Sequence, residues 1–257
     1  MTAALRVLEY NALSYRRIWR GTLFSTFLSP VLFLAAMGVG LGAFIDQGRG
    51  ADLGPFSYAA FLAPGLLAGQ AMQTAGFEST YPIMGAVIWD RTYFGMLATP
   101  ISVSGIVFGQ LAWLAVRLLM ASTAFFIVMV AFGLVASPLG VLSIGVGVLT
   151  GLAFGAPIMA FAITRKNDQA FSMQFRFGLT PMFLFSGIFY PNDRLPGRIQ
   201  LLAEILPLHH GVALARHLCL GDTADRSDQV AHLVVLSAYI IVGTIAALIT
   251  FRRTLVR

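Results

Sequence analysis

The chain has 257 residues, 58% of them hydrophobic and only 11% charged, with a mean hydropathy of +0.81. Soluble domains carry about 25% charged residues, so this much apolar surface has no place in one soluble core, and the composition indicates an integral membrane protein. The formal charge is +6, and the single cysteine, Cys219, excludes an intrachain disulfide.

Residues 1–20 predict an amphipathic helix. Leu5, Leu8, Ala12, Tyr15 and Trp19 recur at spacings of three and four, while Arg6, Glu9, Arg16 and Arg17 lie mostly off that stripe. Such a helix suits a membrane interface, with Trp19 and the arginines at headgroup level. The segment lacks the short apolar core and small-residue cleavage site of a signal peptide.

A helix needs about 20 apolar residues to cross the hydrocarbon. Charge-poor runs place spans near 21–45, 53–77, 104–132, 140–163, 172–190 and 230–251, with "GLVASPLG" dividing the third from the fourth. Eleven Lys and Arg residues fall on the side of the termini and five on the other. The richer side is cytoplasmic, so both termini are expected inside. The fold expected is all-α: one polytopic domain over 1–257, six transmembrane helices, an interfacial helix at 1–20, a cytoplasmic loop at 78–103 and an outer segment at 189–229.

Three features stand out within the spans. Gln70, Gln73, Thr74 and Phe77 fall at i, i+3, i+4 and i+7, so this stripe is expected to face protein or a cavity, because amides in lipid are costly. Arg117 sits mid-depth in the third span and needs a partner; Glu78, at the cytoplasmic end of the second, is the candidate. Gly38/Gly42, Gly65/Gly69 and Gly147/Gly151/Gly155 are small-residue patterns that let helices approach closely. On the outer side, "FSGIFYPNDRLP" (185–196) ends the fifth helix at about Tyr190, where Pro191 and Pro196 block continuation. Residues 197–221 then read as short helices dipping into or lying on the outer leaflet.

Reactive constellations are missing. HExxH, CxxC and GxSxG do not occur, and the only lysine, Lys166 in "TRKND", has no glycine loop before it. No cofactor or metal is therefore expected in this chain, and if ATP drives it, another subunit binds the nucleotide. The adjacent His209 and His210 point about 100° apart on a helix and make a poor metal clamp. Nucleic acid is not an expected partner.

The stretches "FLAPGLLAGQAMQTAGFEST" (61–80), "WDRTYFGMLATPISVSGIVFGQ" (89–110) and "FLFSGIFYPNDRLPGRIQLLAEILPLHHGVALARHLCLGD" (183–222) occur in this order. Together they resemble the membrane subunits of type-2 ABC exporters, especially nodulation-factor and daunorubicin exporter permeases, over most of the chain. The resemblance implies a permease of the bacterial cytoplasmic membrane with no ATPase of its own. It would pair with a second permease copy or related chain and with two ABC ATPase subunits that bind ATP and Mg. It makes the loop at Trp89, Asp90 and Arg91 a short helical coupling element for the ATPase. It makes Pro191, Asp193 and Pro196 part of a re-entrant element capping the exit. Gln70, Gln73, Thr74, Phe77 and Phe183 would line the path of an amphiphilic drug, lipid or lipid-linked saccharide, which adds drug efflux and antibiotic resistance to the expectations. The alternatives are an ATP-independent secondary transporter or channel, which the scarcity of intramembrane carboxylates disfavours, and a lipid-modifying enzyme using His209 and His210.

Overall fold

The structure is a computed structural model that describes residues 2–17, 19–42, 56–191, 197–221 and 226–256, and every regular element among them is helical. In chain order these are α1 (Thr2–Tyr15), α2 (Trp19–Phe33) running into a π-helical stretch (Leu34–Leu41), α3 (Tyr58–Glu78), α4 (Tyr81–Ile88), α5 (Thr92–Leu97) and α6 (Val103–Ala131). A 3₁₀ turn (Pro138–Leu142) leads into α7 (Ser143–Ala162). Then follow α8 (Gln169–Gln174), a second π-helical stretch (Phe175–Leu179), α9 (Thr180–Phe185), α10 (Gly197–Ile205), α11 (Pro207–Leu220) and α12 (Arg226–Leu255).

Among the described residues, Val103–Ala131, Pro138–Ala162 and Ser227–Leu255 are long and apolar enough to cross a membrane. The protein is an all-α membrane protein. Helices α3 and α7 pack together at its centre, α6 and α11 pack on both, and α12 lies outside against α7. The outer face of α12, with Val234, Ile241 and Val242, stays exposed, as expected of a helix whose solvent on that side is lipid.

Two buried clusters hold the bundle. One surrounds α3 and joins Leu62, Leu67 and Met72 to Leu114 and Leu118 of α6 and Leu208 and Val212 of α11. The other lies at the opposite end, where Ile83, Tyr93, Phe171, Ile163 and Phe251 converge. The second cluster therefore ties α4 and α5 to the ends of α7 and α12.

The glycines at 147, 151 and 155 of α7 form the face that receives α6. A β-carbon at Gly151 would overlap Leu118, and one at Gly155 would overlap Leu114. Gly145 on the same helix faces open space. Gly151→Leu is expected to cost about 3 kcal/mol by overpacking, whereas Gly145→Leu should be close to neutral. Melting temperatures of the two purified variants in one detergent provide the comparison.

Helix α1 meets protein through a face beside the Leu5–Leu8–Ala12 stripe that was expected at a membrane interface. Val7 is fully buried, whereas Leu5 is 58% exposed. The helix lies along α6 through Ala3 at Gly105, Val7 at Gly109 and an Asn11 Nδ2 donation to Gln110 Oε1 at 3.2 Å. The polar Asn11 hid this second face from a count of apolar residues. The fifth apolar run stops at Phe185 rather than Tyr190. Gly187 takes φ 78°, a left-handed state that glycine adopts freely and that ends a helix, so the break precedes Pro191.

Candidate transport cavity and coupling turn

The polar stripe of α3 arises from a regular helix whose start is capped by Ser57, the side chain accepting from the Ala60 amide at 3.3 Å. At its other end Thr80 Oγ1 donates to the carbonyls of Gly76 and Phe77. On such a helix Gln70, Gln73, Thr74 and Phe77 share one side. The structure brings all four, together with Phe183 of α9, into one cavity of about 390 Å³. Pro30 and Phe33 of α2 and Phe125 of α6 complete the wall.

Aromatic contacts shape this cavity. Phe77 stacks on Phe175 at 4.6 Å between centroids, and Phe183 meets Phe33 and Phe189 edge-on at 6.4 and 5.5 Å. Phe183 reaches the α3 backbone because residue 69 is glycine; a β-carbon there would come within 2.5 Å of Phe183 Cε2. Phe77 itself remains 55% exposed, so it stands at the rim. The cavity is thus polar along one wall and aromatic along the other.

The turn beside it is held by Arg216 of α11. Its Nη2 donates to the Gly187 carbonyl at 2.9 Å and to Ile188 at 3.4 Å, and its Nε donates to Phe61 O at 3.3 Å. The guanidinium also lies 3.7 Å from the Phe61 ring centroid. The Gly187 and Ile188 carbonyls are freed where α9 ends, so one cation satisfies backbone acceptors that the break creates and ties them to Phe61 of α3. Tyr58 and Tyr190 add hydroxyl donations to Phe189 O and Leu184 O. Pro191 follows this turn, while Asp193 and Pro196 lie outside the described residues.

Arg216 escaped sequence reasoning because it counted only as an outer-loop charge. Its signal was present in the quoted 183–222 stretch, which contains both "SGIFYP" and "AR". A second missed contact joins α11 to α12: His210 Nδ1 and His232 Nδ1 lie 2.6 Å apart, with His209 5.5 Å and 5.9 Å from the two rings. One Nδ1 must donate and the other accept. Among the described residues no His, Cys, Asp and Glu group has the arrangement of a metal site.

Glu78 and Arg117 meet. Arg117 Nε donates to Glu78 Oε1 at 2.9 Å, and the Arg117 and Glu78 side chains are only 12% and 21% exposed. The guanidinium also lies 4.4 Å from the Tyr15 ring centroid, and Tyr15 packs edge-on against Trp113. The pair therefore links α3, α6 and the end of α1.

Trp89, Asp90 and Arg91 do not form a helical stretch. They make the turn between α4 and α5, with the Trp89 and Asp90 amides both donating to Gly85 O and Arg91 at φ 50°. That torsion breaks the helix. Trp89 is 63% exposed. Directly behind it Tyr93 is buried and touches Phe251 at 5.8 Å between centroids. Burial drives the Tyr93 phenol far above its ordinary range, so it stays neutral. The turn is thus a projecting indole and two charges on a packed base.

These features describe an all-α membrane protein with a lined cavity and an anchored turn at one end. Residues 3–220 match the family described as ABC-2 type transporter, and the chain belongs to that family. Nodulation protein J of Rhizobium leguminosarum bv. viciae is 32% identical over 260 residues, covering 98% of this chain and 95% of that protein. Nodulation protein J of Bradyrhizobium diazoefficiens is 32% identical over 247 residues, covering 96% and 92%. The chain is therefore a multi-pass membrane subunit of an ABC transporter, and membership implies an ABC ATPase as its partner.

Proposed function

We propose that this chain is the permease of an exporter in a bacterial cytoplasmic membrane, with six crossings and both termini in the cytoplasm. Two copies, or one copy and a related chain, form the pathway above two ATPase subunits. ATP and Mg bind only in those subunits. The substrate is an amphiphile. The cavity supports this reading most directly: amide and hydroxyl groups of Gln70, Gln73 and Thr74 face aromatic rings across about 390 Å³. That pairing suits a sugar or other polar headgroup carried with an apolar chain. The relatives are named as nodulation proteins, which lends no support to drug efflux.

Coupling runs through the turn at Trp89, Asp90 and Arg91. An exposed indole flanked by charges suits a groove on an ATPase domain. The buried Tyr93–Phe251 contact would carry its displacement into the membrane helices. Glu78 lies one residue beyond the cavity's Phe77, so the same movement reaches the path.

Cysteines placed at Gln70 and Gln73 test the path. In reconstituted transporter, labelling by a polar thiol reagent is expected to change between nucleotide-free and ATP-trapped states. Protection in every state would remove the stripe from the pathway. For the turn, Trp89→Ala is expected to lose a large part of ATPase co-purification while changing stability by no more than about 0.5 kcal/mol, as for an exposed side chain.

A further inference from the structure

A second, larger cavity of about 780 Å³ opens where α7 and α12 end, beside α4 and α5. Four cations line it: Arg91, Arg165, Lys166 and Arg253. Among the described residues no carboxylate lines it and none of the four makes an ion pair. Four like charges gathered without a counter-ion repel one another, so the arrangement calls for an anionic occupant. Ile163 and Phe94 contribute apolar wall. Arg165 folds back so that its Nε and Nη2 donate to Thr164 Oγ1, and its guanidinium lies 4.5 Å from the Phe161 ring. Arg91 reaches the cavity from the only described non-glycine residue at positive φ, a backbone state kept only when its surroundings hold it.

We infer that this cleft binds the phosphate headgroup of an anionic phospholipid. Its position favours lipid over a soluble anion. Both helices that end here are long and apolar enough to cross a membrane, so the cations sit where headgroups lie. Basic pockets between transmembrane helices recognise such headgroups, each Lys or Arg strengthening the attraction. The apolar wall accepts the first part of the acyl chains. The lipid then bridges α5, α7 and α12 beneath the turn that carries Trp89. The inference rests on the membrane setting of α7 and α12, not on the direction or substrate of transport.

The test is lipid retention by the full purified chain, read by native mass spectrometry. The protein is exchanged into detergent containing equal phosphatidylglycerol and phosphatidylcholine. Retention of phosphatidylglycerol in preference to phosphatidylcholine is expected. Neutralising Lys166→Gln should weaken that preference about fivefold, and adding Arg165→Gln and Arg253→Gln should abolish it. The charge-keeping variant Arg165→Lys with Lys166→Arg and Arg253→Lys should retain it. If the triple neutral variant fails to fold, the exposed single Lys166→Gln decides. Equal retention of both lipids by the wild type, or an unchanged preference after neutralisation, overturns the inference. So does displacement of phosphatidylglycerol by millimolar inorganic phosphate, which marks a soluble-anion site. Transport and ATPase co-purification are separate readouts, so loss of the lipid preference leaves the exporter reading standing, and the converse holds.

Discussion

Arg216→Ala is expected to be among the most damaging single substitutions in the protein, at about 3–5 kcal/mol. Hydrogen bonds from a charged donor contribute roughly 1.5–3 kcal/mol each, and leaving buried acceptors unmet adds to the loss. The contact with Phe61 adds about 0.5–2 kcal/mol. The guanidinium serves Gly187, Ile188 and Phe61 at once. An ammonium offers a point charge without the planar fork, so Arg216→Lys should recover less than half of the loss. Melting temperature in a fixed detergent measures both variants. Full recovery by lysine would show that charge alone, and not the shape of the donor set, holds the turn. Because Phe183 and the turn share one short segment, the alanine variant should also alter labelling of a cysteine at position 73.

The second large effect concerns Glu78 and Arg117. Both side chains are mostly buried, and breaking such a pair from one side leaves an uncompensated charge. Glu78→Ala is expected to cost about 2–4 kcal/mol. Replacing both residues, as Glu78→Leu with Arg117→Met, should recover most of that, because apolar isosteres often stabilise as well as a buried pair does. A double-mutant cycle in detergent gives the coupling directly. Screening reaches buried pairs weakly, so the coupling should survive high salt. A cycle energy near zero would mean that the pair orients α1 through Tyr15 without stabilising the bundle. Under the proposed function the double replacement should fold yet transport poorly, since the pair lies between the cavity and the coupling turn.

Much of this molecule was legible as sequence because the membrane imposes a strong rule. Long apolar runs must become helices, since unpaired backbone groups in lipid are expensive. The runs at 104–132 and 140–163 therefore correspond closely to α6 and the 3₁₀–α7 stretch. The side of α3 bearing Gln70, Gln73 and Thr74 was legible from helical period alone. Membership of the transporter family was written in ordered local motifs.

What only the tertiary structure decided are the contacts between elements distant in sequence. The helix break at Gly187 can be guessed, but the donor that satisfies it lies on α11, 29 residues onward. The His210–His232 contact, the Asn11–Gln110 bond and the grouping of Arg91 with Arg165, Lys166 and Arg253 depend equally on helix packing. Periodicity determines which side of a helix is apolar or polar. It does not determine the neighbour that side meets, because that choice is made by close packing of whole helices, through glycine faces such as 147–151–155 of α7.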